Sequence, residues 1–588
     1  MISNQKKVLV FGDDTQSFLA TVRSLGRKGV EVHVVPEEFQ SSALHSRYIR
    51  GIHRLPVYRG DGARWLDALC TLLEREHFDL IMPCIDAAIL PLHAARERIE
   101  KFCPVAIPNV QSVEVLFDKV ETRALAQSLG IPVARGQIYR PGDDPEAALA
   151  ALGLPLVLKP RRSFILDNLR LRQEVSILHT RAAALTGLAE VRDREVLLES
   201  YFVGGGVGVS LLAAEGEVLQ CFQHVRVHPM QKGSSGYRKS EDLDPRLVEA
   251  CTALVGRLRY TGVVMFEFRE DPVTREWILL EGNARPWGSL PLPVSLGIDF
   301  PYWWMNLVLN GERVMARGYP PNHYARNLTS DLYFLAEQLA AQRGRTARRL
   351  AVAGAWFGGF ARTLLGIESN DTLVLDDPNP AFDEWRRLWR KARRRVFGRR
   401  PREAESLLAR EMSRAASSGV GALHVEFVCL GNICRSPYAE RLLRRLLPES
   451  LSERVTAGSS GSLSLEGRPS PAEIIERARR RENVDLSEHR SRYLTEELVS
   501  DAALVVVFDA RNEDNVLSLY PEANSKLVWL GDFLTDARRG QGIADPFGKS
   551  EEVGNQSFGV IEECVRHMVD ILGRTAEHRV SGAIACAA

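Results

Sequence analysis

One short segment of the sequence places a thiol and a guanidinium at a spacing that suits a bound phosphate. Cys429 ends an apolar run, and Arg435 stands six positions later, where a helical pattern begins. The loop N–H groups and the helix N-terminus attract a tetrahedral anion, and Arg435 can clamp two of its oxygens. The same positive field favours the thiolate, so Cys429 is predicted to be a nucleophile.

The elements around this segment predict a parallel α/β domain. The apolar run that ends at Cys429 is typical of a buried strand, and 502–509 and 526–530 are two more such runs. A loop at 543–548 precedes a last helix, expected from about Glu551 to Arg574. Strands that alternate with helices favour a central parallel sheet.

The motif Val-Cys-x-Gly-Asn-x-Cys-Arg-Ser-Pro at 428–437 and the Asp-Pro-Phe loop at 545–547 resemble the low-molecular-weight protein tyrosine phosphatase family. The resemblance covers about residues 421–575 and leaves 576–588 as a tail. It implies that Cys429 forms a phosphocysteine and that Asp545 is the acid and then the base. It also implies that Arg435 and the loop amides hold the phosphate oxygens, while Asn432 and Ser436 brace the loop and the thiolate.

Alternatives to this interpretation concern the substrate and the thiols. Arsenate reductases resemble the same domain but need relay cysteines, and the sequence has none between Cys434 and Cys564. Segment 458–463 lacks the aromatic residue that often walls a phosphotyrosine slot, so a phosphomonoester is a safer expectation than phosphotyrosine. Cys434 either forms a reversible disulfide with Cys429 or simply packs a helix.

A second set of chemistry-bearing residues lies in the first 310 positions. Lys119 and Lys159 each end or follow an element where they could reach a phosphate. Glu267 and the Glu281-x-Asn283 pair lie on two successive apolar strands. Two carboxylates and an amide oxygen suit Mg²⁺, which normally completes its shell with nucleotide phosphates.

The order of these parts resembles the ATP-grasp superfamily, and more closely its carbamoyl-phosphate-synthase-like and carboxylate–amine ligase members. The resemblance implies a pre-ATP-grasp α/β domain at 1–110 and a nucleotide-binding α+β domain at 111–310. It implies cofactors ATP and Mg²⁺, with Mn²⁺ as a substitute, and activation of an unknown carboxylate as an acyl phosphate for attack by an amine.

The resemblance also assigns roles to individual residues. Lys119 and Lys159 would bind ATP phosphates, and Glu199 with Tyr201 and Phe202 would form the hinge against adenine. The ligands of Mg²⁺ would be Glu267, Glu281 and Asn283. Arg285 would steady the transferred phosphate, and the acyl phosphate and carboxylate would be faced by Arg226, His228 and Arg238. The loop after Lys159 departs from the family, because Arg161 and Arg162 replace its glycines. These arginines either replace backbone amides as phosphate donors or impair the lid, and a nucleotide site that is no longer active is the alternative.

Residues 311–400 are predicted to be a helical basic extension, and 401–420 a linker that is flexible at 415–421. Within 385–402, Trp385, Leu388 and Trp389 fall on one helical face among arginines. Such a helix lies on an anionic membrane surface or packs through its tryptophans against the ligase, and packing is the favoured interpretation.

Length and composition limit the number of domains and the kinds of partner that can be expected. A chain of 588 residues is too long for one core, and its net charge of +1 gives no global reason to expect a nucleic-acid partner. The nine cysteines show no metal-like spacing, no signal-peptide apolar region follows the N-terminus, and a cytoplasmic enzyme is expected. The two halves are expected to be a bifunctional ligase and phosphatase, or else a regulatory phosphatase with a nucleotide-sensing or docking module.

Overall fold

The computed structural model describes the chain apart from residues 1–4, 230–234, 343, 359–361, 363–364, 366, 398, 419–421 and 588. The chain divides into two compact units. Unit 1 comprises Met1–Glu37 and Ser41–Trp385, and unit 2 comprises Glu38–Gln40 and Arg386–Ala588. Across the described residues no helix combines the length and apolar character needed to cross a membrane.

Unit 1 begins with a small parallel sheet, as the alternating strand and helix patterns predict. Its strands are β1 (Lys7–Phe11), β2 (Glu31–Val35), β3 (Ile49–Ile52) and β4 (Leu80–Pro83), in the order β3-β2-β1-β4. The helices are α1 (Ser17–Arg27), α2 (Ala63–Glu76), α3 (Asp86–Ala94) and α4 (Arg96–Ile99), with a 3-10 helix at Ser42–His45. The central strand β1 is apolar on both faces because helices cover both sides of the sheet.

A four-stranded antiparallel sheet follows. After α5 (Val110–Leu116) and α6 (Lys119–Ser128) come β5 (Gly136–Tyr139), α7 (Pro145–Leu152), β6 (Leu156–Pro160), β7 (Ser176–Leu178), α8 (Arg181–Glu190) and β8 (Val196–Ser200). The strand order is β5-β8-β6-β7. Asp118 caps α6 by accepting hydrogen bonds from the N–H groups of Val120 and Glu121, which fixes Lys119 at the first helical position.

The largest sheet carries the predicted metal ligands Glu267, Glu281 and Asn283. It contains β9 (Gly205–Ala214), β10 (Glu217–Pro229), β11 (Ser235–Glu241), β12 (Gly262–Glu270), β13 (Trp277–Asn283), β14 (Tyr324–Arg326) and β15 (Glu368–Asn370), in the order β13-β12-β9-β10-β11-β14-β15. Its helices are α9 (Pro245–Arg257), α10 (Pro291–Ser295), α11 (Phe300–Asn310), α12 (Leu328–Ala341) and α13 (Thr346–Gly358). The prediction of a purely helical extension at 311–400 is therefore wrong, because β14 and β15 continue the sheet beyond β11.

Helix α14 (Asn379–Phe397) crosses the division between the units, and α15 (Ala404–Ser418) follows it in unit 2. The sheet of unit 2 consists of β16 (Leu423–Cys429), β17 (Val455–Gly461), β18 (Leu504–Val507) and β19 (Leu527–Trp529), all parallel and in the order β17-β16-β18-β19. Its other helices are α16 (Arg435–Leu446), α17 (Glu449–Ser452), α18 (Ala472–Glu482), α19 (Glu496–Asp501), α20 (Ala510–Leu519) and α21 (Glu551–Ala587), with 3-10 helices at Pro521–Ser525 and Leu530–Phe533. The predicted α/β class and central parallel sheet are confirmed.

Three expectations about connecting segments are wrong. The predicted linker at 401–420 contains α15, whose Ala404, Leu408 and Met412 are buried in the core of unit 2, while 419–421 lie outside the described residues. The last helix does not end near Arg574 but continues to Ala587. Trp389, expected to pack on the ligase, is 68% exposed.

Candidate active sites

In unit 2 the chain passes from the end of β16 through a tight loop into α16. Asn432 has a positive φ of 51°, a conformation that asparagine tolerates better than most residues. This turn directs the Asn432 N–H towards the Cys429 Sγ, at 3.3 Å. The Cys429 side chain is buried, and its sulfur lies next to the N-terminus of α16 with this loop N–H directed at it.

A hydrogen-bonded network fixes the loop around the sulfur. Ser436 Oγ lies 3.0 Å from Cys429 Sγ. The Asn432 Nδ2 donates to Ser436 Oγ at 2.9 Å and to Ser459 Oγ at 3.0 Å, and its Oδ1 accepts from the Arg492 N–H at 2.8 Å. The side chains of Asn432 and Ser436 are both fully buried, so these bonds are made without competition from water.

The Arg435 guanidinium is buried and lies between two carboxylates. Its Nη2 donates to Asp545 Oδ2 at 2.8 Å, and its Nη1 donates to Asp509 Oδ2 at 2.6 Å. The Nη1 also donates to the carbonyl oxygen of Ile543 at 2.8 Å. The Asp545 carboxylate is 40% exposed. The five predicted residues of this unit, Cys429, Asn432, Arg435, Ser436 and Asp545, therefore lie in one site.

Sequence reasoning missed three residues of this site. Asp509 follows β18 at the carboxyl edge of the parallel sheet, the same edge that carries Cys429, and that position is the signal that could have identified it. Ser459 on β17 receives the Asn432 amide. The His489 Nε2 lies 2.6 Å from the Asn432 carbonyl oxygen, and burial lowers the pKa of this histidine while that hydrogen bond opposes the shift.

Cys434 lies at the N-cap of α16 and is as buried as Cys429. Burial raises the pKa of the Cys434 thiol, and the neighbouring Cys429 raises it further. Cys434 is therefore a protonated thiol at neutral pH. Both cysteines are unpaired in this structure, so the predicted disulfide stays a prediction.

The candidate site of unit 1 is a pocket where the first α/β domain meets strand β13. Its lining residues are Asp86, Leu90, Leu116, Phe117, Lys119, Thr122, Ser163, Phe164, Glu281, Gly282, Asn283 and Ala284. Lys119 donates to Ser163 Oγ at 3.0 Å, and burial lowers the pKa of its amine. The structure thus brings together one predicted phosphate-binding lysine and two of the three predicted metal ligands.

The third predicted ligand is adjacent on the neighbouring strand. Glu267 on β12 is directly opposite Glu281 on β13. The Glu267 carboxylate accepts from Arg226 Nη2 at 2.6 Å, and burial together with the Glu281 charge raises its pKa against the effect of that arginine. No hydrogen bond or ion pair to another described residue holds the Glu281 carboxylate.

Other predicted nucleotide residues already have partners within the protein. Lys159 Nζ lies 2.6 Å from Glu199 Oε2, and Glu199 also accepts from Arg123 at 2.8 Å. The Arg269 guanidinium contacts the Tyr201 hydroxyl at 2.9 Å and the Phe202 carbonyl at 3.1 Å, which ties the predicted hinge to β12. Arg285 forms a bidentate pair with Asp86 and contacts Asn283 Oδ1 at 3.4 Å.

Arg161, one of the two arginines that could replace backbone amides as phosphate donors, is held by carboxylates instead. The Arg161 side chain is held by Asp118, Glu121 and Glu195, at 2.8, 3.1 and 2.6 Å. Ser163 and Phe164 are the loop residues that line the pocket.

Two residues expected on the acyl-phosphate side lie elsewhere. The His228 Nδ1 lies 2.6 Å from Asp331 Oδ1, and its ring stacks on Phe334. Arg238 is fully buried and donates to Asp371 at 2.7 Å. Both residues contact the segment beyond residue 311 and not the pocket.

The residues of the pocket fit a magnesium nucleotide. The donor set offers the unpaired Glu281 carboxylate, the Asn283 amide oxygen and the Glu267 carboxylate, which are hard oxygen ligands. No group of three or more His, Cys, Asp or Glu side chains arranged to hold a metal ion occurs in the described part of the chain. Two carboxylates and an amide leave coordination positions for phosphate oxygens and water.

Two family models match the chain. The low molecular weight phosphotyrosine protein phosphatase family matches residues 424–578, and the model described as "ATP-grasp in the biosynthetic pathway with Ter operon" matches residues 192–327. A relative in Erwinia amylovora, the probable low molecular weight protein-tyrosine-phosphatase AmsI, is 32% identical over 25% of this chain and 95% of its own length. The low molecular weight protein-tyrosine-phosphatase Etp of Escherichia coli is 31% identical over 25% of this chain and 93% of its own length.

Among solved structures, N5-carboxyaminoimidazole synthetase from Staphylococcus aureus complexed with ADP is 15% identical, with a TM-score of 0.44, over 57% of this chain and 86% of that chain. By the two family matches and the curated relatives, the chain belongs to the low molecular weight phosphotyrosine protein phosphatase family through its C-terminal domain, which is fused to an N-terminal ATP-grasp domain.

Proposed function

We propose that this chain is a bifunctional enzyme whose C-terminal domain hydrolyses phosphate monoesters through Cys429 and whose N-terminal domain is an ATP- and Mg²⁺-dependent ligase. The observation that carries the phosphatase assignment is the arrangement around the sulfur. The Asn432 N–H and the Ser436 hydroxyl lie within 3.3 Å of Cys429 Sγ, and Arg435 is bound to Asp545 on the adjacent loop.

The geometry supports a two-step displacement. The Cys429 thiolate attacks phosphorus, the bond to the ester oxygen breaks, and Asp545 in its protonated form gives the leaving oxygen its proton. Asp545 then takes a proton from a water molecule, whose oxygen attacks the phosphocysteine and releases phosphate and the thiolate. Arg435 and the loop N–H groups hold the equatorial oxygens in both steps.

Substitution of Cys429 and Asp545 tests this assignment with p-nitrophenyl phosphate. Cys429→Ser should abolish hydrolysis, and Asp545→Ala should lower the rate by about a hundredfold or more, the usual contribution of a general acid. Glu488→Ala, an exposed carboxylate of the same unit, is the matched control. Hydrolysis that survives Cys429→Ser would overturn the mechanism.

The substrate is proposed to be a phosphorylated protein or a small phosphomonoester. Phe547 lies on the loop that carries Asp545 (residues 534–550, the acid loop), is 57% exposed and offers an aromatic surface beside the site. A comparison of kcat/KM for a phosphotyrosine peptide and for alkyl phosphates, with Phe547→Ala in parallel, tests the preference. A selective loss on the aromatic substrate supports phosphotyrosine, and arsenate reduction coupled to thioredoxin is the outcome that would favour the less expected reductase.

In the ATP-grasp domain, the proposed nucleotide residues are Lys119, Lys159, Glu199, Tyr201, Phe202, Arg226 and Arg285, and the proposed Mg²⁺ or Mn²⁺ ligands are Glu267, Glu281 and Asn283. The bound nucleotide would supply the phosphoryl group that activates a carboxylate for attack by an amine. Lys119 lines the pocket, and Arg285 contacts its lining residues Asp86 and Asn283, so both would neutralise phosphate charge there while Glu281 would bind the metal. Glu199 lies beside Lys159 and would orient its amine.

ATP consumption over pooled carboxylates and amines tests the ligase assignment. Substrate-stimulated turnover that is lost in Glu281→Gln supports it, while ATP binding without turnover favours the regulatory alternative. The glycine-poor loop after Lys159 is the observation that favours that alternative, in which the domain senses nucleotide or docks the phosphatase. Failure to bind ATP at all would contradict both the ligase assignment and the nucleotide-sensing alternative.

Weak contact of residues 385–402 with an anionic membrane surface remains a proposal. The exposed Trp389 ring lies among arginines on α14, which is typical of an interfacial helix. Sedimentation with vesicles of phosphatidylglycerol, compared with phosphatidylcholine, tests it in the full chain. Equal recovery of wild type and Trp389→Ser in the pellet would contradict a role for this helix.

A further inference from the structure

The segment that connects the two catalytic domains is built into the phosphatase next to its acid loop. The family match begins at residue 424, and the curated relative AmsI is matched over 95% of its own length by 25% of this chain. Residues 399–418 therefore precede the residues that match the family model. Ala404, Leu408 and Met412 of this segment are nevertheless buried in the core of unit 2, so the segment packs as part of that unit.

Arg399, at the start of this segment, forms an ion pair with a buried carboxylate of the phosphatase domain. Its side chain is 9% exposed, and its Nη1 donates to Asp532 Oδ1, a carboxylate with no exposed surface. The guanidinium lies 4.5 Å from the centroid of the Trp529 ring. Asp532 Oδ2 in turn accepts from the Trp529 N–H at 3.0 Å. Arg399 thus stabilises the corner where β19 passes into the 3-10 helix Leu530–Phe533, since removal of its charge would leave the buried Asp532 carboxylate without a counter-charge.

That corner holds the start of the acid loop. The Gly540 N–H donates to the Gly531 carbonyl at 2.8 Å, and Arg539 Nε donates to the Asp532 carbonyl at 3.2 Å. Gly540 has a φ of +80°, and a Cβ built on it would lie 2.8 Å from the Pro401 ring. The connecting segment therefore touches the loop directly through Pro401, as well as through the Arg399 ion pair.

The acid loop continues from this anchor to the catalytic groups. The Ile543 N–H donates to the Phe508 carbonyl at 2.7 Å, and the Ile543 carbonyl accepts from Arg435 at 2.8 Å. Asp545, two residues later, contacts the same guanidinium. Only four residues separate Gly540 from Asp545, so a shift at the anchor is passed to the carboxyl group that protonates the leaving oxygen.

We propose that Arg399 is a positioning residue for the phosphatase: it fixes the 531–540 anchor and through it the place of Asp545. The proposal rests on the proposed role of Asp545 as general acid. It assigns the connecting segment a catalytic purpose that a tether between two domains does not have. A displacement of the order of 1 Å at a reacting group is enough to cost a large factor in rate.

A leaving-group comparison in the full chain separates positioning from a general loss of structure. Phenyl phosphate needs a proton on its leaving oxygen, whereas 2,4-dinitrophenolate leaves without one. In Arg399→Met we expect kcat/KM for phenyl phosphate to fall about tenfold or more and that for 2,4-dinitrophenyl phosphate to change less than about twofold. Gly540→Ala, which disturbs the same anchor from the loop side, should give the same pattern, and Arg399→Lys should restore part of the rate.

Arg400→Met is the matched control, because Arg400 is exposed and adjacent; it should leave both rates unchanged. Asp545→Ala is the reference variant, because it shows how loss of the proposed acid itself affects the two esters. If Asp545→Ala itself affects both esters equally, the proposed acid is wrong and the phosphatase mechanism fails. If Asp545→Ala shows the leaving-group signature while Arg399→Met lowers both esters equally, or lowers neither, the positioning proposal alone is overturned.

Discussion

At the scale of single residues, the proposed phosphatase site contains a buried arginine that two carboxylates share. Arg435 is held by Asp509 and Asp545 at 2.6 and 2.8 Å. The two carboxylates have different tasks. Asp545 is 40% exposed and free to meet a leaving group, whereas Asp509 also caps α20 through the Asn512 N–H and so is fixed to the scaffold.

Asp509→Asn isolates the charge of this second carboxylate. Asparagine still accepts the capping hydrogen bond, so the free energy of unfolding should change little. The lost charge weakens the hold on Arg435, and kcat/KM for p-nitrophenyl phosphate should fall about tenfold, the usual value of a hydrogen bond between charged groups. Asp501→Asn, an exposed carboxylate at the end of α19, serves as control. A rate equal to that of wild type would show that Asp545 and the Ile543 carbonyl position the guanidinium without the Asp509 charge.

His224 gives unit 1 a pH dependence whose sign follows from its burial. Burial lowers its pKa from 6.5 to about 3, and the charges of Arg226 and Arg238 add to the effect. Between these values the unfolded chain binds a proton that the folded chain does not, so the contribution of His224 to stability is constant above pH 6.5 and falls below it. The expected slope is about 1.4 kcal/mol per pH unit.

Thermal unfolding from pH 7.5 to pH 5 measures this term. Wild type should lose more stability than His224→Gln over that interval, because glutamine does not titrate. Other histidines contribute equally to both proteins, so the difference between the two curves is the relevant quantity. Parallel curves of stability against pH for the two proteins would contradict the assignment of the stability loss at acid pH to His224.

At the scale of elements, the sequence predicts those strands and helices whose apolar pattern matches the burial of the same residues in the fold. The apolar run that ends at Cys429 predicts β16, and the motif after it predicts the loop and the start of α16. The parallel sheet of unit 2 follows from three such runs. These elements are predictable because the apolar residues that become buried, and their spacing along the chain, lie within one short segment.

The parts that could not be predicted depend on distant partners. Asp509 has the local signature of any helix cap, and only β18 beside β16 brings it to Arg435. Arg161 was expected near phosphate, but Asp118, Glu121 and Glu195 compete for it. The sequence 415–421 is rich in Ala, Ser and Gly, which suggested a linker, while the four-residue spacing of Ala404, Leu408 and Met412 was the overlooked sign of a helix.

Leu408→Ala tests whether α15 belongs to the phosphatase fold. Leu408 is fully buried in the core of unit 2, so the substitution should cost about 2–4 kcal/mol of the free energy of unfolding of that unit. Leu407, at the edge of the same core, is the control and should cost less. Denaturant unfolding followed by phosphatase activity reports the unit directly. A loss below about 0.5 kcal/mol would mean that α15 is an appended tether.

At the scale of the whole molecule, the chain joins a low molecular weight phosphatase domain and an ATP-grasp domain, each with its own core. The proposed phosphatase residues lie within unit 2, and the proposed nucleotide residues lie within unit 1. Neither proposed site borrows a residue from the other unit. Cys429→Ser should therefore leave ATP turnover unchanged, and Glu281→Gln should leave hydrolysis of p-nitrophenyl phosphate unchanged.

The central claim is that Cys429 is a phosphatase nucleophile, and trapping the covalent intermediate tests it most directly. The full chain is mixed with excess 2,4-dinitrophenyl phosphate, quenched in acid within milliseconds, and digested for mass spectrometry. We predict one added phosphoryl group on the peptide that contains Cys429, absent in Cys429→Ser. Hydrolysis of the ester without this adduct, or an adduct on any other residue, would contradict the account.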